Sequence, residues 1–191
     1  MNIVTTPDPR LRIKCKKVNH VDDEIREMVD NMIQNCLDWE KEHKFEISAA
    51  LAAPQLGYDR RIIVVREDTE DKNNATFIPL LNPEVIKTEG KTVYDYEGCL
   101  SVPSYYGMVP RPTKARIKAQ TIDGQEVRIK ADGFLARTLL HEIDHLNGIL
   151  FIDHIKDVKD AFYRLNEKGD LVPVDYDKDI ANNKDLFPDE D

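Results

Sequence analysis

Residues 114–148 read KARIKAQTIDGQEVRIKADGFLARTLLHEIDHLNG, and the change of pattern inside this stretch decides the fold class. Segments 114–119 and 126–130 flank Ile122-Asp123-Gly124-Gln125. An Asp-Gly pair between two such segments predicts a hairpin, because the tight turns that join antiparallel strands need residues that accept positive φ. From residue 132 to about 146 the period becomes helical, and Asn147-Gly148 is a stop signal, since glycine can close a helix in the left-handed region without strain. Strands leading into a helix predict an α+β chain, with mainly antiparallel sheets packed around this central helix.

Moving outward, residues 22–42 predict an N-terminal helix. Asp22 is a cap, Glu24 and Glu27 follow it, and Ile25, Met28, Val29, Met32, Ile33, Cys36, Leu37 and Trp39 keep helical spacing. Cys36 falls on that apolar stripe and is expected in the core. Residues 61–65 (RIIVV) read as a buried strand, and 77–81 and 84–86 as short strands broken by Pro83. The chain has 191 residues, enough for one domain with its own core. We divide it into a domain over 1–165 and an acidic C-terminal tail over 166–191. The tail holds nine acidic and three basic residues, with little apolar periodicity, and is expected to be mobile or loosely docked.

The formal net charge is −9, which argues against nucleic-acid binding, since that needs a basic face. No apolar run approaches the roughly 20 residues of a membrane span, and the N-terminus lacks the apolar stretch of a secretory signal. Three cysteines, Cys15, Cys36 and Cys99, are an odd number and suit a reducing compartment, with the cytoplasm as the expectation.

The predicted helix carries His141-Glu142-Ile143-Asp144-His145. Side chains four apart share a helix face, so both imidazoles can reach one metal ion, and Glu142 can aim its carboxylate at a metal-bound water. Leu139, Leu140, Ile143 and Leu146 surround the motif, so the helix is expected to be buried, and buried polar groups need partners. A catalytic site of this type needs a third protein ligand. The downstream extension HExxHxxGxxH is absent: Gly148 keeps the glycine, but Phe151 stands where a third histidine would be. His154 reads as surface. Cys99, in Glu97-Gly98-Cys99-Leu100-Ser101, is either a ligand or a small buried apolar residue, and spacing alone does not choose.

Three blocks taken together resemble the peptide deformylase family. They are His141-Glu142-Ile143-Asp144-His145-Leu146, the unchanged Glu97-Gly98-Cys99-Leu100-Ser101, and Ser48-Ala49-Ala50-Leu51-Ala52-Ala53-Pro54-Gln55. The opening Pro7-Asp8-Pro9-Arg10-Leu11-Arg12 is similar to the family's usual start. The resemblance runs from about residue 3 to about residue 158. It implies that Cys99, His141 and His145 bind one divalent metal with water as the fourth ligand. It also implies that Glu142 is the general base and later the acid, and that the Gln55 amide and the Leu100 backbone N–H donate to the formyl oxygen. Ala50, Leu51 and Gly98 would contact the substrate. The implied reaction removes the N-formyl group from the initiator methionine of nascent polypeptides, with Fe²⁺ in the cell and Zn²⁺, Ni²⁺ or Co²⁺ as substitutes. The implied partners are N-formylmethionyl nascent peptides, with a transient ribosome contact.

The first block departs from the family pattern, with Ser48 and Ala50 at two positions usually held by glycine. Either the backbone there is ordinary extended chain and the methyl is tolerated, or the cleft is crowded. Crowding would leave a related amidase with altered acyl or peptide preference, or a metal-retaining peptide-binding homologue with weak turnover. We also expect Arg111 to pair with Glu97 and fix the Cys99 loop.

Overall fold

The computed structural model describes residues 3–43, 47–71 and 73–188. Helix α1 spans Asp23–Glu42, and the Asp22 side chain caps it by accepting a hydrogen bond from Ile25 N at 3.0 Å. Ile25, Val29, Met32 and Cys36 are buried along one face, Cys36 completely. Strands β1 (Ala50–Ala52), β2 (Ile62–Arg66), β3 (Phe77–Gly98), β4 (Tyr106–Gln120) and β5 (Glu126–Asp132) follow. Helix α2 (Gly133–His145) comes next, then β6 (Phe162–Leu165), β7 (Leu171–Pro173) and the one-turn helix α3 (Tyr176–Asp179).

The strands form one antiparallel sheet in the order β1-β2-β3-β4-β6-β7, with β5 also on β4. The hairpin and helix expected over 114–148 are β4, β5 and α2: Lys114 pairs with Asp132 and Gln120 with Glu126, and Gly124 in the turn has φ +79°. Strand β2 is buried at every residue because both of its faces are covered. Ile62 and Val64 pack with Val29 and Met32 of α1, while Ile63 and Val65 pack with Leu139 and Ile143 of α2. Gly148 ends the helical region at φ +76°, where a Cβ would lie 2.4 Å from the Arg12 carbonyl oxygen.

One expectation is corrected. Pro83 does not break the chain into short strands: β3 runs through it, with a register irregularity between Leu81 and Glu84. Asn82 absorbs the irregularity at φ 51°, and its side chain clamps the backbone of Val18 by one accepted and one donated bond, each 2.8 Å. A bulge is where a strand accommodates a proline that cannot donate to the ladder. The described part of segment 166–191 lies against the rest of the chain. Strand β7 pairs with β6, and Ile180 and Leu186 are buried among Leu11, Leu150, Phe151 and Phe162. The acidic composition hides two apolar anchors, and those anchors hold the segment on the body.

Candidate active site

A cleft of about 490 Å³ opens where α2, the end of β3 and the segment before β1 meet. Ala50, Gln55, Gly98, Cys99, Leu100, Tyr105, His141 and Glu142 are among the residues that line it. His141 and His145 lie one turn apart on α2, with ring centroids 5.0 Å apart. Cys99 stands on the turn after β3, and its sulfur is 3.2 Å from His145 Nε2. One ligand atom from each of Cys99, His141 and His145 falls within 4.8 Å of the others. The structure therefore brings Cys99 beside the two histidines, and His154 stays outside that group.

The donor set suits a metal ion. Burial holds His145 well below the usual histidine range, and charge on His141 adds to this, so the surroundings favour the neutral imidazole, the form that ligates. Burial also disfavours charge on His141. The adjoining Cys99 and Glu97 outweigh it and push His141 well above the usual range, so the surroundings favour positive charge at that point. His141 Nδ1 meets Glu97 Oε2 at 2.9 Å, which turns its other nitrogen away from the carboxylate.

Glu97 is held from several sides. Arg111 grips it with Nε on Oε1 at 2.9 Å and Nη2 on Oε2 at 3.0 Å, and Arg137 Nη1 donates to Oε1 at 2.7 Å. Burial alone would raise the Glu97 pKa, but hydrogen bonds from His141 and Arg111 hold it well below the usual carboxylate range. The expected Arg111–Glu97 pair is thus present. Arg111 also pairs with Asp144 at 2.5 Å, and His154 meets the same Asp144 oxygen at 2.7 Å. Arg137 was not singled out from the sequence. Its signal was its position, four residues before His141 on a helix that must be buried, where an arginine needs acceptors. It finds Glu97 and the carbonyls of Val93 and Val109.

Glu142 follows His141 and is buried. Its Oε2 has no hydrogen-bond partner among the described residues. Burial pushes its pKa up to about 7, with His141 opposing and Glu97 adding repulsion. An unpartnered buried carboxylate oxygen in a cleft is placed to receive a proton from a small molecule that enters.

Gln55 sits on a short 3₁₀ turn, Ala53–Leu56. Its Oε1 accepts from Ala52 N at 2.8 Å, so Nε2 faces the cleft, 3.5 Å from Cys99 Sγ and 3.2 Å from Ser101 Oγ. Ala50 begins β1, and neither it nor Ser48 has positive φ. An L side chain therefore carries no backbone strain at either position. Leu51 is not among the residues that line the cleft. Its side chain is 1% exposed and packs in the core under α1, because alternate residues of a strand face opposite ways.

A family model described as polypeptide deformylase matches residues 1–161. A curated peptide deformylase of Thermomicrobium roseum is 44% identical over 173 residues, which cover 89% of this chain and 94% of the relative. One of Halothermothrix orenii is 47% identical over 148 residues, covering 78% and 88%. Among solved structures, a Synechococcus elongatus peptide deformylase in complex with actinonin aligns with TM-score 0.71 and 35% identity, over 81% of this chain and 78% of that one.

Proposed function

Because the chain belongs to the polypeptide deformylase family, we propose that Cys99, His141 and His145 hold the metal this enzyme requires, and that Glu142, Gln55 and Leu100 carry out the hydrolysis. The reaction converts a formyl-Met peptide and water to formate and a free amine. The observation that carries the assignment is the convergence of one sulfur and two imidazoles beside a buried, unpartnered carboxylate oxygen.

A divalent metal in this site supplies Lewis acidity and lowers the pKa of water. Glu142 takes a proton from the attacking water and returns it to the departing amine. Gln55 Nε2, oriented by the bond from Ala52 N, donates to the formyl oxygen as negative charge develops there, and the Leu100 N–H donates to the same oxygen. Ala50 and Gly98 flank the substrate. At Gly98 a Cβ would lie 2.7 Å from the Tyr106 ring, so this wall of the cleft requires glycine. Arg111 and Arg137 hold Glu97, and Glu97 holds the His141 ring, so three buried charges set the orientation of one ligand.

The sulfur donor favours softer ions, and we assign Fe²⁺ in the cell, with Zn²⁺, Ni²⁺ or Co²⁺ as substitutes. A cysteine beside iron is open to oxidation, so the activity is sensitive to oxygen. We place the reaction in the cytoplasm, where nascent formylated chains emerge, with a transient ribosome contact and no direct nucleic-acid binding. No helix among the described residues is long and apolar enough to cross a membrane.

The test is metal content after purification without air. About one metal per chain is expected for a three-ligand site, and Cys99→Ala and His141→Ala should each lose most of it. Variants that keep the full metal content would overturn the ligand assignment.

A further inference from the structure

Tyr105 lines the cleft, in the turn that carries Cys99. Its polar contacts reach the other way, into the C-terminal region. The hydroxyl accepts hydrogen bonds from Arg164 of β6 and from Asn183 Nδ2, the latter at 3.3 Å, and donates to the Asp179 carbonyl oxygen at 3.4 Å. The Arg164 guanidinium lies over the ring, 4.4 Å from its centroid. Asn183 Nδ2 also donates to the Asp179 carbonyl at 2.9 Å, tying these contacts into one cluster.

The cluster rests on anchored chain. Ile180 and Leu186, on either side of Asn183, are buried in the core, and Val174 N donates to the Phe162 carbonyl at 3.1 Å. The family model ends at residue 161, so every partner of the Tyr105 hydroxyl lies beyond it. Ser104, just before Tyr105, has φ 70°. A non-glycine residue persists in that region only where its surroundings over-determine it. The hydroxyl is fully engaged on the far side, so Tyr105 offers the cleft an aromatic surface, not a hydrogen-bonding tip. Among the described residues its hydroxyl has no hydrogen bond to Gln55, Cys99, Glu142 or either histidine, so Tyr105 stands apart from the reacting groups while still lining the cleft.

We propose that segment 166–188, with Arg164, is a positioning element that holds Tyr105 as a fixed wall for the residues following the formylated methionine. Peptide affinity then depends on Asn183 and Arg164, which lie outside the reacting groups. The inference rests on the assignment of the cleft as the formyl-peptide site.

The test uses the full chain and two probes. One is turnover of formyl-Met-Ala-Ser. The other is binding of the product peptide Met-Ala-Ser, read from the fluorescence of Trp39, the single tryptophan, which also lines the cleft. Asn183→Ala should raise both KM and the product Kd about fivefold, the factor that corresponds to one neutral hydrogen bond of about 1 kcal/mol. Its kcat and metal content should stay within about twofold of the parent. Arg164→Gln should behave similarly and Arg164→Lys should recover part of the loss. In a Tyr105→Ala background, Asn183→Ala should add nothing further, because both act through one ring. Unchanged KM and Kd in Asn183→Ala and Arg164→Gln, even with a lowered Tm, would make the segment a stability element only and overturn the proposal. So would an Asn183→Ala effect that persists without Tyr105. Wild-type protein that holds metal but releases no formate would count against the deformylase site, while the product-binding arm would still decide the role of Tyr105.

Discussion

Glu97 is 6% exposed and meets two guanidiniums and the His141 ring, so most of the site's organisation passes through one carboxylate. Removing one partner of a buried ion pair leaves an uncompensated charge and costs about 3–5 kcal/mol. Arg137→Met should therefore lower stability in denaturant unfolding by an amount of that order. A loss below about 1 kcal/mol would show that the pair is not structurally important. Gln55→Ala should reduce kcat about 100- to 1000-fold at unchanged metal content, the range seen when one oxyanion donor is removed. Unchanged kcat would exclude Gln55 from the reaction. Cys99, Glu142 and the two histidines could be read from the sequence because helical spacing and an unchanged five-residue block mark them. Arg137 was not, because an arginine on a helix is ordinarily solvated, and its one signal, a place four residues before His141 on a buried helix, does not name Glu97 as its partner.

Strand β1 and the residues just before it carry the departure from the family pattern. Ala50 is extended and pairs with Val65, and Ser48 N is held by Glu40 Oε1 at 2.8 Å, with Arg66 on the same carboxylate. Neither residue asks the backbone for a conformation that glycine alone permits. Ala50→Gly should bring no gain in kcat/KM on a formyl-Met peptide and should cost about 0.5–1 kcal/mol of stability. A clear gain would mean that the methyl crowds the cleft after all. The hairpin β4–β5 and both long helices were legible because turn residues, caps and period agree over each of them. Strand β3 was not, since a proline suggests an interruption, and only the clamp of Asn82 on Val18, more than sixty residues away in the chain, explains how the strand continues. The core-facing side chain of Leu51 was not legible because a motif names consecutive residues, while a strand sends its neighbours to opposite faces.

Across the whole molecule, the sheet lies between α1 and α2 at one end and packs with the C-terminal region at the other, and the cleft is lined by residues of α1, α2, the end of β3 and the turn after it. The docking of the C-terminal segment was hidden because single apolar anchors carry no periodicity and acidic residues dominate the composition. Ile180→Ala should lower global stability by about 2–5 kcal/mol, as expected for a buried aliphatic side chain. A loosely attached tail would make that substitution nearly silent in thermal unfolding. The central claim, that this fold assembles a metal-dependent deformylase around Glu142, is tested most directly by formate release from formyl-Met-Ala-Ser. Wild type and Glu142→Gln, both purified without air and matched for metal content, would be compared. Rapid release by the wild type that is lost in Glu142→Gln is the predicted result. Equal release by both proteins, or none from metal-loaded wild type, would contradict it.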